Sequence, residues 1–528
     1  MKDAVLLHEL VAHAADAGPE RVALTHDDSS LSYAELAAQV RSLAGGMLRL
    51  GLGRGERVAV YLEKRIEAVV ASFGAAAAGA VFVPVNPVLK AEQVGYILRD
   101  CGVAILVTSP ERASLLQATL ALCPDLRHVV VTGDAAPAPG SPARHAWVEL
   151  LDAPPAPGHR VIDLDVLAIL YTSGSTGKPK GVVLSHRNMV AGAKSVANYL
   201  GNHRDDVLLA ALPLSFDAGF SQLTTAFSVG ARAVLLNYLL PRDVLTAIVR
   251  ERVTGLTAVP PLWIQLAQLS WPASVNQHLR YFANTGGRMP LPTLKSLRAA
   301  LPNAEPYLMY GLTEAFRATY LAPQEVERRP DSIGKAIPNA EILVLREDGT
   351  ACAPNEEGEL VQRGALVGLG YWGDPQKTAE RYRPLPGREP GLVQPEIAVF
   401  SGDTVRMDDE GFLYFVGRRD EMIKTSGYRI SPTEIEEVVH ATGRVVECAA
   451  MGIAHPVLGQ AIVLVVMLKE GEAGCGPDVL QSCRERLPAY MLPAHVEVRR
   501  EPLPRNPNGK IDRKLLSAEF DGLFEAGR

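Results

Sequence analysis

Two kinds of segment alternate through the first half of the chain: stretches with apolar residues at helical spacing, and short runs that are almost wholly apolar. Ser32-Tyr-Ala-Glu35 has the form of a capping box and predicts a helix running to about Arg49. Arg57 to Leu62 then reads as a strand, followed by helix from about Ile66, strand to Val85, helix from about Lys90 and strand from Ala104 to Thr108. This βαβα order implies parallel sheet with helices on its faces. The run Ala68 to Val85 raises the question of a membrane span. It is mostly Ala and Gly with Pro84 near its end, whereas a bilayer needs roughly 20 strongly apolar residues. A core helix followed by a buried strand is the better account. Two stretches rich in Pro, Ala and Gly, near Ala135 to Arg144 and Ala153 to Gly158, read as surface loops. After about Asp331 the texture changes, and EILVLREDG and GELVQRG suggest a small β-rich unit. After Arg418 comes a compact αβ tail, with helix Thr433 to Val439 and strand Ile462 to Leu468 its clearest elements.

The strongest chemical signal is YTSGSTGKPKG, Tyr171 to Gly181. It follows the apolar run Val166 to Leu170, which reads as a buried strand. The loop is therefore anchored in core while its middle is polar and flexible. Gly permits close approach of backbone to a ligand, and successive N–H groups can form an anion-binding concavity. Thr172, Ser173, Ser175 and Thr176 add hydroxyls around Gly174 and Gly177, and Lys178 and Lys180 add charge. These features describe a phosphate grip. It is not a P-loop of the Walker A type: Gly177-Lys178 is followed by Pro179, and Gly181 leads into VVLSH, which looks like a second strand rather than a helix. A Gly/Ser-rich linker is the plain alternative, but a linker would not follow a buried strand directly.

Composition narrows the class. At 528 residues the chain is too long for one core and should divide into domains. It is 47% hydrophobic and 21% charged with a net charge of −6, so a nucleic-acid partner is not indicated. The six Cys are scattered without metal spacing, which suits a reducing cytoplasm better than a disulfide framework. Asp3, Glu9 and Asp16 interrupt the N-terminal apolar residues, so no signal peptide is read there.

Further motifs follow the loop in order: YGLTEA (Tyr310 to Ala315), GELVQRG with GYWGDPQKT (Gly358 to Thr378), SGDTVRMDDEGFLYFVGRRD holding Asp403 and Arg418, MIKTSGYRISPTEIE (Met422 to Glu436), and PRNPNGKIDRK with Lys510 beside a Pro-Asn-Gly turn. Together they resemble the adenylate-forming superfamily of acyl-CoA synthetases, peptide-synthetase adenylation domains and luciferases, over essentially the whole chain. LEKRIEAVVA, VPVNPVLK and VGRRDEMIKTSGYRISPTEIEE are similar, more narrowly, to AMP-forming acyl-CoA ligases associated with exosortase A systems.

The resemblance implies an α/β fold. A large N-terminal domain (residues 1–417) would hold parallel αβ subdomains and a small β-barrel-like subdomain. A hinge (418–420) would join it to a small mobile α+β C-terminal domain (421–528) carrying a catalytic Lys. It also implies two half-reactions: a carboxylate attacks the α-phosphate of ATP to give acyl-AMP and pyrophosphate, and a thiol then takes the acyl group. Bringing two anions to ~4 Å costs about 1 kcal/mol in water but ~4 at an effective dielectric of 20, so cations are required. By resemblance Glu314 holds Mg²⁺, Thr172 and Thr313 contact phosphate or metal, and Lys510 touches both carboxylate and α-phosphate. For a lone Lys, a solvated place in a basic tail (Arg505, Lys510, Arg513, Lys514) would be the plain reading.

The remaining roles are likewise implied by resemblance. Ser173 to Gly177 and Lys180 grip phosphate. Asp403 accepts from the ribose hydroxyls, as an acceptor-only carboxylate can, and Arg418 reaches the same region. Tyr310, with Gly311 beside it, stacks on adenine, which Gly287 and Arg288 border, while Arg429 approaches phosphate. Asp420 is the hinge, and Gly427 lines the tunnel for the thiol. Each polar residue has a surface ion pair as its alternative.

The segment LPLSFDAGFSQ should border the acid. Many acyl-CoA synthetases place His where this chain has Phe216, and Phe216-Asp217 resembles the Phe-Asp of peptide-synthetase adenylation domains, whose Asp binds an α-amino group. Asp217 could equally cap a helix starting near Gly219. Arg317 could hold a second carboxylate or pair with Glu305 or Glu325. If Asp217 and Arg317 both line the pocket, the acid is small and polar. The expected activity is an ATP- and Mg²⁺-dependent ligase joining a carboxylic acid to CoA. The alternatives are a stand-alone enzyme loading the phosphopantetheine of an acyl carrier protein, and an inactive ATP-binding partner protein.

Overall fold

A computed structural model describes residues 2–133, 142–152, 154–172, 179–387, 391, 393–418, 421–425, 428–455, 458–470, 476–487, 489–507 and 509–524. Local signals act as the sequence implies. Ser32 and Glu35 form a reciprocal capping box that opens the helix Tyr33–Arg49. The apolar runs become strands Arg57–Tyr61, Val81–Pro84 and Val103–Thr108, separated by helices Ile66–Ala78 and Ala91–Asp100. The Ala-rich stretch is thus a helix buried on nearly every side, then a buried strand. Among the described residues no helix is long and apolar enough to cross a membrane.

Two large sheets form the body. An eight-stranded sheet contains these three strands and Val166–Thr172, paired in parallel, and ends in antiparallel strands Lys180–Ser185 and Gly370–Tyr371. A nine-stranded sheet is parallel through its centre, from Val22–His26 to Glu305–Tyr310, with antiparallel strands at both edges. One continuous core runs between the sheets through helices Tyr33–Arg49, Ile66–Ala78, His186–Tyr199 and Asp217–Val229. The β-rich unit is an antiparallel sheet branched at the long strand Ile397–Met407, which pairs with Glu357–Gly364, Tyr382–Pro384 and Leu413–Arg418. The tail builds a fourth sheet around Val445–His455 and Gly459–Leu468, covered by helix Pro432–His440. Parallel strands point their C-terminal ends to one side, where ligands of open α/β sheets bind. Thr172 and Tyr310 stand at such ends, of strands Val166–Thr172 and Glu305–Tyr310.

Candidate active site

The glycine-rich segment is the connection of an antiparallel hairpin, since Thr172 is the register partner of Lys180. A strand–loop–strand arrangement is therefore present, as Pro179 and VVLSH implied. Ser173, Gly174, Ser175, Thr176 and Gly177 lie outside the described residues, as do Asp420 and Gly427. Arg429 pairs through its backbone with Lys424. At the hairpin's base the Lys180 ammonium lies 5.3 Å from the centre of the Tyr371 ring. The Tyr371 hydroxyl donates to Glu314 Oε1 at 2.7 Å. Burial lowers the Lys180 pKa, and the charges of Lys377 and Arg381 lower it further, with Glu314 and Asp374 opposing.

Asp403 lies on the long strand Ile397–Met407. It is the cross-strand register partner of Arg418, whose Nε lies 3.2 Å from its Oδ1. The Tyr310 hydroxyl donates to its Oδ2. The carboxylate is 8% exposed, and Oδ1 is a buried acceptor with no hydrogen-bond donor. Burial pushes its pKa up, against the pull of Arg418 and Tyr310. Gly402, just before it, has φ +73°, and a Cβ there would run into the Arg381 guanidinium. The positive φ favours Gly at this position.

Lys510 enters from the tail. The backbone N–H of Asn506 donates to the Lys510 carbonyl at 2.8 Å, and the Lys510 N–H donates back to Asn506 Oδ1 at 3.1 Å. The side chain runs beside Gly286, where a Cβ would come 4.0 Å from Lys510 Cε. Lost hydration lowers its pKa, and the Arg418 charge lowers it further, whereas Asp217, Asp403 and Glu421 oppose. Asp217 of the nine-stranded-sheet half and Asp403 of the β-rich unit thus act on one ammonium. Two contacts hold the tail there: Arg288 pairs with Glu437 of helix Pro432–His440, and Asn86 Nδ2 donates to the Pro507 carbonyl at 2.8 Å. Gly287 accepts from Asn284 Nδ2 at 2.7 Å.

The pairing expected of Arg317 is corrected. Glu305 accepts from the Tyr307 hydroxyl, and Glu325 pairs with Arg329. Arg317 instead pairs with Asp217 at 2.8 Å, the two side chains being 4% and 16% exposed. The reading of Asp217 as a cap is corrected as well: Phe216 is the N-cap residue, Asp217 opens the helix Asp217–Val229, and no side chain caps it. Thr313 Oγ1 lies 3.4 Å from Asp217 Oδ1. Arg317 borders a narrow cavity of about 20 Å³ between Ala218, Ser221, Thr225, Thr257 and Tyr281, room for roughly one water.

The AMP-binding enzyme family model matches residues 11–372, and that of the AMP-binding enzyme C-terminal domain matches residues 434–510. The chain belongs to the AMP-binding enzyme family. An L-proline–[L-prolyl-carrier protein] ligase of Streptomyces coelicolor is 34% identical over 93% of this chain and 92% of its own. A long-chain-fatty-acid–CoA ligase of Mycobacterium tuberculosis is 30% identical over 93% and 94%. The crystal structure of ATP-bound MatB from Rhodopseudomonas palustris superposes with a TM-score of 0.87 at 26% identity, over 98% of this chain and 100% of that one. The chain is thus an adenylate-forming ligase of the ATP-dependent, AMP-forming kind, with the mixed α/β architecture of such enzymes.

Two features of this AMP-binding enzyme escape sequence reading. Tyr371 lies in the quoted GYWGDPQKT, but nothing in its pattern says that it bonds Glu314. Phe316 takes φ +57°, a conformation costly for a bulky side chain. It is fully buried against helix His186–Tyr199, where a Cβ on Gly192 would strike its ring. This holds the turn between Glu314 and Arg317.

Proposed function

We propose that the protein activates a small carboxylic acid with ATP, forming acyl-AMP and pyrophosphate, and then passes the acyl group to the thiol of CoA. The observation that carries this reading is the place of Lys510 beside Gly286, buried and within the electrostatic reach of Asp217, Asp403 and Arg418. A cation there offsets the repulsion between an attacking carboxylate and the α-phosphate. Asp403 Oδ1 is held by the Arg418 ion pair but has no hydrogen-bond donor, so it keeps acceptor capacity that a pair of ribose hydroxyls would use. Tyr310, beside it, would face the base. Thr172 and Lys180, at the two ends of the hairpin loop, would meet the phosphates.

Mg²⁺ fits the donor set. Among the described residues no cluster of three or more His, Cys, Asp or Glu could hold a metal. A hard cation held by one carboxylate together with phosphate and water oxygens needs no such cluster. Glu314 would hold it, steadied by Tyr371, and when bound it supplies neutralisation of phosphate charge. Residues 1–417 would form the nucleotide- and acid-binding body. Residues 421–528 would move about a hinge at 418–420, withdrawing Lys510 once acyl-AMP has formed.

The buried Asp217–Arg317 pair, with Thr313 beside it, supports a small polar acid, since two charged side chains bordering the site would be poorly matched to a long alkyl chain. A second reading, loading of an acyl or aminoacyl group onto a carrier protein's phosphopantetheine, is favoured by Asp217 and by the carrier-protein ligase among the relatives. ATP–pyrophosphate exchange over a panel of carboxylic and amino acids tests the first half-reaction, and trapping with CoA or holo-carrier separates the two acceptors. Exchange with long-chain fatty acids and none with small acids would refute the small-acid reading. No exchange with any acid would leave only an inactive nucleotide-binding protein.

A further inference from the structure

A second cavity, of about 260 Å³, opens between the C-terminal ends of the two large sheets. Val60, Leu62 and Ala68 form an apolar wall, and Pro213, Leu214 and Ser215 lead from it directly to Phe216 and Asp217 of the acid site. Its mouth carries Val88, 64% exposed, and Asn86, which holds the Pro507 carbonyl of the tail. The cavity therefore adjoins the reaction centre, and the segment that delivers Lys510 touches its rim.

Lys64 is the one cation among the residues lining it. Its backbone is clamped by Asn237, which accepts from the Lys64 N–H at 3.2 Å and donates to its carbonyl at 2.7 Å. Its ammonium donates to the Ala211 carbonyl at 3.0 Å, and no carboxylate among the described residues pairs with it. Glu63, its neighbour, is engaged by Arg65 and Arg112. Lost hydration lowers the Lys64 pKa to about 8. Ser215 contributes a second unsatisfied group: its hydroxyl is buried and has no partner among the described residues. An ammonium without a counter-ion and an orphaned hydroxyl among the residues lining one largely apolar cavity are the features of an anion subsite.

We infer that this cavity binds the anionic group of an extended, largely apolar small molecule that takes part in the reaction, with Lys64 as its counter-ion. Two participants in the proposed ligase reaction carry such chemistry: a thiol acceptor with a phosphate on a pantetheine arm, and an acid substrate with a second, distal carboxylate. The inference rests on the ligase reading for its participants, and on Lys64, Ser215 and the cavity for its site.

The direct test is binding by calorimetry to the full-length protein, with 4′-phosphopantetheine against pantetheine and glutarate against its dimethyl ester. The Lys64→Met variant keeps the side-chain volume and removes the charge, and Lys64→Arg keeps the charge. One anionic probe is expected to bind wild-type protein, to weaken about tenfold or more in Lys64→Met, and to recover in Lys64→Arg. Its uncharged counterpart should bind wild type and Lys64→Met alike. The probe that responds identifies the source of the anion. In turnover, the same variant should raise KM for that participant while leaving KM for ATP unchanged. Equal weakening of charged and uncharged probes, no difference between wild type and Lys64→Met, or no binding of either anion to wild type would overturn the inference. Lys64-dependent binding without exchange on any acid would instead refute the ligase reading and leave the anion site standing.

Discussion

Arg317 and Asp217 are 100 residues apart in the chain and 2.8 Å apart in the fold. The pair links the turn after Glu314 to the first turn of helix Asp217–Val229, where the positive end of the helix dipole also favours a carboxylate. It therefore sets the spacing between that turn and the helix. Asp217→Ala would strand an almost fully buried guanidinium, and breaking such a pair costs about 3–5 kcal/mol. Replacing both partners, as in Asp217→Leu with Arg317→Met, is expected to restore most of that loss. Urea unfolding of the single and double variants checks this, and a double variant as unstable as the singles would contradict it.

Lys510 is expected to serve only the first half-reaction. Lys510→Ala should slow ATP–pyrophosphate exchange by about 10²–10³-fold, the scale for losing one transition-state charge contact. It should leave acyl transfer from preformed acyl-AMP nearly intact. Single-turnover assays of each half-reaction decide the matter, and equal loss in both would contradict the role assigned to this ammonium.

Short-range chemistry made much of this structure legible, and long-range pairing hid the rest. Ser32 and Glu35 bond each other across one helical turn, so their spacing alone marks the helix start. The strand before Thr172 and the one after Pro179 follow from an apolar run and a missing helix signal. Arg317, by contrast, had several acids available to it by charge alone. Tyr307 and Arg329 occupy Glu305 and Glu325, and only the folded sheets bring Asp217 close. Arg288 could be read as bordering a nucleotide, but not as clasping Glu437 of the tail. The positive φ of Phe316 runs against what its side chain prefers, so no local signal announces it. Lys64 becomes notable only when two sheets meet around it.

Acid should loosen the attachment of the N-terminal segment. The Leu7 N–H donates to His186 Nδ1 at 3.0 Å, which requires an unprotonated nitrogen. Burial, reinforced by His8, lowers the His186 pKa from 6.5 to about 4. A folded pKa below the unfolded one means that the stabilisation is complete above about pH 6.5 and is lost as the pH falls toward 4. The loss from this ring is at most about 3 kcal/mol. His186→Gln should flatten part of the fall in stability between pH 6.5 and 4. The half-buried His440, also held near 4, should account for a further part. An unchanged pH profile in the variant would show that His186 does not titrate with unfolding.

Asp403 should trade stability for nucleotide binding. Its pKa is raised in the folded protein, chiefly by burial, so its contribution to stability is greatest below the unfolded carboxylate pKa and falls as the pH rises through the folded one. At neutral pH the ionised group is therefore a net cost to the free protein. Asp403→Asn removes that cost while keeping the shape of the side chain. The variant without nucleotide should melt at or above the wild-type temperature at pH 7, and the difference should shrink as the pH drops into the carboxylate range. With ATP present the order should reverse. The amide offers one acceptor oxygen where the carboxylate offers two, and losing a charge-assisted bond of about 1.5–3 kcal/mol weakens binding roughly tenfold or more. Melting curves of both proteins, with and without Mg-ATP at two pH values, measure all of this in one series. If Asp403→Asn gained as much from ATP as wild type does, the ribose contact assigned to Asp403 would be wrong even if the stability argument held.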